Sequence, residues 1–213
     1  MKIAPSILSA DFGKLREEIE MLNQSEADWI HVDVMDGRFV PNISFGFPVF
    51  EVLVKYASKP LDVHLMIEEP EKYAPRFAEM GAYSISFHLE ACNHSHRLLS
   101  HLRDLNVLAG VAINPQTGLG WLPNLEGMFD LVNVMTVNPG FGGQKFIVPM
   151  EQKIQQLNAW KKETGHPFEI EVDGGVHAGN LTRIKEIGVT VAVAGAAVFN
   201  TPNPIQTIAD FKK

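Results

Sequence analysis

Short apolar runs alternate with longer, charged stretches along the whole chain, and this alternation limits the folds open to it. Eight runs have the length of strands, near Ile3–Leu8, Trp29–Val34, Leu61–Met66, Ser84–His88, Leu108–Ile113, Leu131–Thr136, Glu169–Asp173 and Val189–Ala194. The intervening stretches predict helices, for example over Asp11–Asn23, Glu71–Met80, Cys92–Asn106, Pro149–Glu163 and Ala178–Ile187. Strands separated by helices are typical of a mostly parallel sheet with helices outside it.

Such a sheet can stay open and doubly wound, or it can close into a (β/α)8 barrel. The chain of 213 residues gives about 27 residues for each strand–helix unit, which lies at the compact end for a barrel. No linker, low-complexity segment or break in composition divides the sequence. We therefore predict an α/β protein in which residues 1–213 form a single-domain (β/α)8 TIM barrel.

Charge and cysteine content argue against several kinds of partner and location. The net charge of −7 disfavours nucleic acid as a partner, since nucleic-acid binding usually needs a basic face. No apolar run approaches the roughly 18 residues of a membrane span. The N-terminus has Pro5 and Asp11 where a signal peptide needs a long apolar run, and the single cysteine, Cys92, cannot pair within the chain. We expect a cytoplasmic protein without a nucleic-acid or membrane partner.

One predicted strand carries an imidazole, a carboxylate and a thioether on the same face. Alternation along the strand in Trp29–Gly37 places His31, Asp33 and Met35 together. Buried charges are costly unless they are paired or bind metal, so this strand is either an exposed edge or part of a working site. Asp36 falls off this face, and we assign it to the following loop.

Polar residues gather at the carboxyl ends of the predicted strands, where barrel enzymes carry their active sites. They are Ser6, His31, Asp33, His64, His88, Asn114 and Asp173, with Gly195 after the last strand. Two imidazoles and two carboxylates among them suit one divalent ion of zinc, manganese, iron(II) or cobalt. These four are His31, Asp33, His64 and Asp173. Buried ion pairs are the alternative interpretation, but they would need many matched partners.

Glycine-rich loops follow the last three predicted strands. Glycine lets backbone N–H groups approach an anion closely, and barrels often bind phosphate after strands 7 and 8. The loop residues are Gly140, Phe141, Gly142, Gly143, Gly174, Gly175, Gly195 and Ala196. They predict a phosphate site. Met35, Met66 and Met135 also end strands here and would form an apolar cap that excludes water, although methionine often only fills a core.

Other chemistries lack support in the sequence. No lysine lies at the carboxyl end of a strand, which argues against a Schiff-base aldolase. The G-x-S-x-G motif of serine hydrolases and the P-loop are absent. His94 and His96 resemble a metal motif but fall on a predicted helix, where residues two apart do not share a face. We predict that both are surface residues.

Five long motifs resemble those of the ribulose-phosphate 3-epimerase family. They are APSILSADF (Ala4–Phe12), HVDVMDGRFVPN (His31–Asn42), DVHLMI (Asp62–Ile67), MTVNPGFGGQKF (Met135–Phe146) and EVDGGV (Glu171–Val176), and the match runs from about Ile3 to Phe199. The resemblance implies a TIM barrel of the ribulose-phosphate-binding type. It implies an isomerase of the pentose phosphate pathway that interconverts D-ribulose 5-phosphate and D-xylulose 5-phosphate. Proton transfer at C3 would use two bases and a metal-stabilised enediolate.

Matching positions imply roles for individual residues. Asp33 and Asp173 resemble the acid/base pair, and together with His31 and His64 they resemble the ligands of one divalent metal ion. Ser6, His64 and Asp173 would contact the sugar. Gly140, Phe141, Gly142, Gly143, Gly174, Gly175, Gly195 and Ala196 fall on the substrate and phosphate segments, and Met35, Met66 and Met135 match the family's methionine cap. The resemblance also implies a small phosphorylated ketose as ligand and a homo-oligomer.

Two positions depart from the family pattern. Ala196 stands where the family usually has serine, and Gln116 stands where it usually has glycine. Neither position is a metal or acid/base position. The nearest alternative is D-allulose-6-phosphate 3-epimerase, which shares the four metal positions and acts on a six-carbon ketose. A non-catalytic phosphosugar-binding barrel is the alternative of another class; it would keep the glycine loops but could lose the carboxylates.

Overall fold

The computed structural model describes residues 1–213, and its eight strands form one parallel sheet. The strands are β1 (Lys2–Pro5), β2 (Ile30–Met35), β3 (Leu61–Met66), β4 (Ser84–His88), β5 (Leu108–Ile113), β6 (Leu131–Met135), β7 (Glu169–Asp173) and β8 (Val191–Ala194). From β2 to β8 each strand pairs with the next along the chain, and β8 pairs with β1. The predicted barrel is confirmed, and the open doubly wound sheet is excluded.

The barrel closes between β1 and β2 with few main-chain contacts. Ser6 forms a single parallel bridge to His31. The N–H groups of Asp28 and Trp29 donate to the Ile3 carbonyl at 2.9 and 3.5 Å, and the Asp28 carboxylate accepts from the Ile3 N–H at 2.7 Å. This closure places Ser6 against the face of β2 that carries His31 and Asp33.

Eight helices surround the sheet or follow its strands. They are α1 (Leu15–Gln24), α2 (Phe47–Tyr56), α3 (Ala74–Met80), α4 (Ser95–Asp104), α5 (Met150–Thr164), α6 (Leu181–Glu186), α7 (Ala196–Phe199) and α8 (Pro204–Lys212). Only a 3-10 helix, Leu119–Leu125, connects β5 to β6. None of the helices combines the length and the apolar character needed to cross a bilayer.

The predicted first strand is wrong at its carboxyl end, because β1 stops at Pro5 and not at Leu8. The Ser6 side chain accepts a hydrogen bond from the Leu8 N–H, and this contact caps a 3-10 turn over Ile7–Ser9. A serine in this position offers the backbone a local alternative to the strand ladder. The chain therefore turns at Ser6, and its hydroxyl stays at the rim of the barrel.

Alternate residues of the strands enter two different environments. The outward side chains pack under the helices in a buried apolar cluster that includes Val32, Val34, Val63 and Leu65. The inward side chains are polar in the middle of the barrel, where Asp62, Ser84, Ser86, Asn133 and Glu171 are fully buried. The period of two along each strand therefore separates a structural layer from a polar interior.

Candidate active site and metal centre

Four inward side chains from β2, β3 and β7 converge at the carboxyl end of the barrel. Each offers one ligand atom, and these atoms all lie within 4.8 Å of one another: His31, Asp33, His64 and Asp173. In the pairing of β2 with β3, Asp33 lies directly opposite His64. The structure thus brings together the four residues that the sequence analysis grouped.

The ligand atoms of the two imidazoles face the same two carboxylate oxygens. The His31 Nε2 atom lies 3.3 Å from the Asp33 Oδ1 atom and 3.7 Å from the Asp173 Oδ2 atom. The His64 Nδ1 atom lies 3.4 and 3.3 Å from the same oxygens. Both nitrogens are buried, and neither has a hydrogen-bond partner within the protein. Two imidazole nitrogens and two carboxylate oxygens aimed at one point fit a divalent metal ion.

A buried carboxylate fixes the orientation of His31. The His31 Nδ1 atom lies 2.7 Å from the Asp62 Oδ2 atom, and both side chains are fully buried. Because an ionised carboxylate only accepts, the imidazole proton belongs on Nδ1 and the lone pair of Nε2 faces the site. The register explains the contact, since His31 lies opposite Asp62 in the β2–β3 pairing.

Charge pairing between the imidazoles and the carboxylates outweighs burial in setting the pKa values of this cluster. Burial lowers the pKa of His31, but Asp33, Asp173 and Asp62 outweigh it and raise this pKa well above its usual value. Burial also lowers the pKa of His64, but Asp173 and Asp33 outweigh burial, so this pKa is raised overall. Burial raises the pKa of Asp33, but the two imidazoles lower it overall, and the pKa of Asp173 is also lowered. The cluster therefore favours a proton on each imidazole and a negative charge on each carboxylate, so protons compete with a cation for these imidazole nitrogens.

Two further residues behind His64 also have shifted pKa values. Burial lowers the pKa of His88 to about 4, so its ring is neutral at neutral pH. Burial raises the pKa of Glu90, but hydrogen bonds from His88, Thr117 and the Asn114 N–H outweigh it and bring that pKa to about 2. Glu90 is therefore a carboxylate that accepts hydrogen bonds from β4 and from the loop after β5.

A cavity of about 670 Å³ opens above the cluster, and Asp33 and Asp173 line it. Ser6 lines it too and donates its hydroxyl proton to the Asp33 Oδ2 atom. Met35, Met66 and Met135 are buried and border the same space. One wall of the cavity therefore combines an oriented carboxylate with three soft apolar side chains.

The predicted phosphate segments form another wall of this cavity. Its lining includes Gly140, Phe141, Gly142, Gly143, Gly174, Gly175, Gly195 and Ala196. The N–H groups of Gly142, Gly143, Gly174 and Gly175 donate to no acceptor in the protein. These free donors make the wall suitable for an anion.

Two glycines are required by close approach between the loops after β6 and β7. Gly174 has a φ of +116°, and a Cβ there would lie 2.3 Å from the Val137 side chain. Gly175 has a φ of +67°, and a Cβ there would lie 2.3 Å from the Phe146 backbone nitrogen. Only glycine meets both the dihedral and the steric condition, and it allows the two loops to pack directly against each other.

The sequence analysis missed several lining residues, among them Ser9, His177, Asn180 and Arg183. Asn180 is buried and holds the β7 loop, because its amide donates to the Gly175 carbonyl at 3.0 Å. Its amide oxygen accepts from the His177 N–H at 2.9 Å. Asn180 precedes α6, but its side chain makes no hydrogen bond to the first turn of that helix, so the capping pattern gave no signal for this role. Asn114 was expected at the rim but does not line the cavity, whereas His94 and His96 are exposed as predicted.

The model of the ribulose-phosphate 3-epimerase family matches residues 2–199 of this chain. The chain belongs to this family. A ribulose-phosphate 3-epimerase of Synechocystis sp. is 50% identical over 209 residues, covering 97% of this chain and 91% of that protein. The enzyme of the same name from Bacillus subtilis is 45% identical over 213 residues, covering 100% and 98%. The protein is therefore an isomerase of the epimerase class.

Solved structures outside the epimerase family share the fold at low identity. KGPDC from Streptococcus mutans, in complex with D-R5P, has a TM-score of 0.74 and 14% identity, covering 99% of this chain and 94% of that one. A 3-hexulose-6-phosphate synthase has a TM-score of 0.68 and 15% identity, covering 100% and 98%. At such identity the likeness concerns the barrel alone.

The two departures from the epimerase family pattern have different surroundings. Ala196 lines the cavity at the start of α7, next to Gly195. Gln116 is exposed in the loop after β5 and does not line the cavity. Only the change at position 196 can therefore affect ligand contacts directly.

Proposed function

We propose that this epimerase interconverts D-ribulose 5-phosphate and D-xylulose 5-phosphate by two-base proton transfer at C3, with one divalent metal ion. The observation that carries the proposal is the convergence of Asp33 and Asp173 with two imidazoles beneath a glycine-lined cavity. The names of the relatives supply ribulose phosphate as the sugar.

His31, Asp33, His64 and Asp173 would hold the metal ion, since their ligand atoms already lie together. Zinc, manganese, iron(II) and cobalt all suit this mixed nitrogen and oxygen set. When bound, the metal would act as a Lewis acid for the negative charge that develops on the ketose oxygens. The proton transfers are assigned to side chains of the protein.

Inversion at C3 needs one group to remove a proton and another to return one on the opposite face. Asp33 and Asp173 come from β2 and β7, which lie three strands apart around the barrel. Both have lowered pKa values and are carboxylates at neutral pH, so either can accept the C3 proton. We assign removal from one epimer to Asp33 and return to Asp173, with the roles exchanged in the reverse direction. The enediolate exists between the two transfers.

The remaining walls of the cavity suit a small phosphorylated ketose. The free N–H groups of the glycine loops would bind the phosphate group. Met35, Met66 and Met135 would exclude water from the reacting carbon and strengthen local electrostatic interactions. Ser6 orients Asp33 through its hydrogen bond to Oδ2.

A side-by-side assay on ribulose 5-phosphate and allulose 6-phosphate tests this substrate assignment. We expect the metal-loaded protein to prefer the five-carbon ketose by about tenfold or more in kcat/KM, a difference of about 1.4 kcal/mol. Deuterium from heavy water should enter at C3 during turnover. A preference for the six-carbon sugar would reassign the substrate, and binding without deuterium entry would support a silent phosphosugar-binding barrel.

Restoring the family's hydroxyl at position 196 should improve substrate binding. We expect Ala196→Ser to lower KM for ribulose 5-phosphate by about threefold to tenfold, because a new donor would reach the phosphate, while kcat stays unchanged. Steady-state kinetics measure both parameters. Gln116→Gly restores the other family residue outside the cavity and serves as the matched control, with no change expected. An unchanged KM in Ala196→Ser would remove position 196 from the phosphate site.

A further inference from the structure

A line of hydrogen-bonded side chains runs from His64 away from the cavity. The His64 Nε2 atom lies 3.0 Å from the His88 Nε2 atom, and the His88 Nδ1 atom lies 3.3 Å from the Glu90 Oε2 atom. Both imidazoles are fully buried. Their rings stack with centroids 5.1 Å apart, and Phe39 lies 4.6 Å from the His88 ring. Neither ring can therefore turn toward a different partner without disturbing its neighbours.

The chemistry of His64, His88 and Glu90 allows hydrogen bonds to be donated in only one direction, from His64 towards Glu90. A carboxylate only accepts hydrogen bonds, so His88 must carry its proton on Nδ1, toward Glu90. A neutral imidazole has one N–H, so the His88 Nε2 atom accepts, and His64 must donate from its own Nε2 atom. The His64 Nδ1 atom then bears a lone pair, and it is this atom that faces Asp33 and Asp173 at 3.4 and 3.3 Å.

We propose that Glu90 and His88 are positioning residues that select the His64 tautomer able to bind the metal ion. The inference rests on the metal site of the proposed function and extends it beyond the four ligands. Asp62 selects the tautomer of His31 in the same way, through its contact with the His31 Nδ1 atom. Each imidazole of the site therefore has its own partner, and loss of the partner of His64 leaves His31 oriented.

Contacts from the loop after β5 hold Glu90 in the orientation that this function requires. The Glu90 Oε1 atom accepts from the Asn114 N–H at 2.8 Å and from the Thr117 hydroxyl. The Lys153 ammonium group donates to the carbonyls of Asn114, Pro115 and Thr117 at 3.1, 2.8 and 2.7 Å, which holds that loop. One carboxylate oxygen is thereby committed to the loop, and the other is left to face His88.

Glu90→Gln tests the inference because it keeps the shape of the side chain and reverses one hydrogen bond. The Asn114 N–H needs an acceptor, so the amide oxygen stays at the loop and the amide nitrogen faces the His88 Nδ1 atom. His88 must then accept there and donate to His64, which moves the His64 proton onto Nδ1. We expect cobalt(II) affinity to fall by about 10-fold to 100-fold, with a changed visible absorption spectrum of the remaining complex.

Glu90→Ala removes the carboxylate that fixes the tautomers of His88 and His64, but it does not impose the opposite tautomers as Glu90→Gln does. The alanine variant should therefore bind cobalt(II) more tightly than Glu90→Gln. A residue needed only for structure would show the reverse order, since glutamine is the closer replacement. Thr117→Val is the matched control, because it removes one donor to the Glu90 Oε1 atom, leaves the Asn114 N–H bound to that atom, and does not touch His88. Its affinity should stay within about twofold of that of the unmodified protein. Cobalt titrations against a competing chelator measure all three variants, and thermal melting confirms that each is folded.

His88→Phe provides a second route, because it keeps a stacked ring but gives the His64 Nε2 atom no acceptor. It should also weaken cobalt(II) binding. Affinity equal to that of the unmodified protein in Glu90→Gln or His88→Phe, or weaker binding in Glu90→Ala than in Glu90→Gln, would overturn the inference and leave the metal site standing. Failure of the unmodified protein to bind cobalt(II) would instead overturn the proposed metal site, and this inference with it.

Discussion

Asparagine in place of Asp33 or Asp173 is expected to lower the rate of epimerisation by about 10³-fold, because general acid–base groups contribute on this scale. Asparagine keeps the size of the side chain but cannot take up the C3 proton. Coupled assays with ribulose 5-phosphate at saturating metal give the rate. Metal content is measured on the same samples, since both carboxylates are also proposed ligands.

The two variants should differ in the isotope exchange that they retain. With one base missing, the other can still remove the C3 proton of the epimer that faces it and return solvent deuterium to the same side. Asp33→Asn and Asp173→Asn should therefore lose exchange for opposite epimers. Nuclear magnetic resonance of each sugar in heavy water follows this exchange directly and separates loss of a base from loss of the metal, which would stop both exchanges.

Asp36→Asn is the matched control for Asp33→Asn, because Asp36 follows the same strand but does not line the cavity. Its carboxylate accepts from the N–H groups of Arg38, Phe39 and Glu68 and so belongs to the loop. Epimerisation should remain within a few-fold of normal. Near-normal turnover in Asp33→Asn or Asp173→Asn would contradict the two-base assignment.

The cluster at the barrel end was predictable because a strand encodes its faces with a period of two. His31, Asp33 and Met35 could be assigned to one face from spacing alone, and the carboxyl ends of parallel strands meet at one rim. His64 and Asp173 followed from the same rule on β3 and β7. No distance between them could be inferred, since this depends on the register and curvature of the closed sheet.

The residues that contact the two imidazoles from behind could not be predicted, because those contacts depend on the register between strands. Asp62 reaches His31 only because the two residues are opposite in the β2–β3 pairing. Glu90 lies on a 3-10 turn after β4 and reaches the loop after β5, which no pattern within either segment indicates. The steric need for Gly174 likewise comes from Val137, a residue of another loop.

Helix α2 shows that local composition alone does not determine the secondary structure of a segment. Its residues Phe47–Tyr56 include a run of phenylalanine and valine with the composition of a strand. Proline at the second position and the need for a crossover between parallel β2 and β3 nevertheless favour a helix. The tertiary requirement for a crossover prevails here over local propensity.

Removal of the metal ion should abolish epimerisation, and the loss should exceed about 10³-fold because Lewis-acid stabilisation contributes several kcal/mol. Prolonged treatment with a chelator, followed by metal analysis and assay, tests this expectation. Activity should return on addition of manganese, cobalt or zinc and should not return on addition of magnesium, which disfavours imidazole ligands. Full activity in metal-free protein would contradict the proposed metal requirement.

Metal retention should also fall as pH is lowered, because protons compete with metal for both imidazoles. The carboxylates raise the pKa values of His31 and His64 in the metal-free state. Below those pKa values each ring carries a positive charge on the atom that would bind the ion; above them the lone pairs are free, and the Asp33 and Asp173 carboxylates add attraction. Binding should therefore release protons, which calorimetry in buffers of different ionisation enthalpy detects. At a pH below both pKa values, equal apparent heats in all such buffers would show that no imidazole gives up a proton and would remove His31 and His64 from the ligand set.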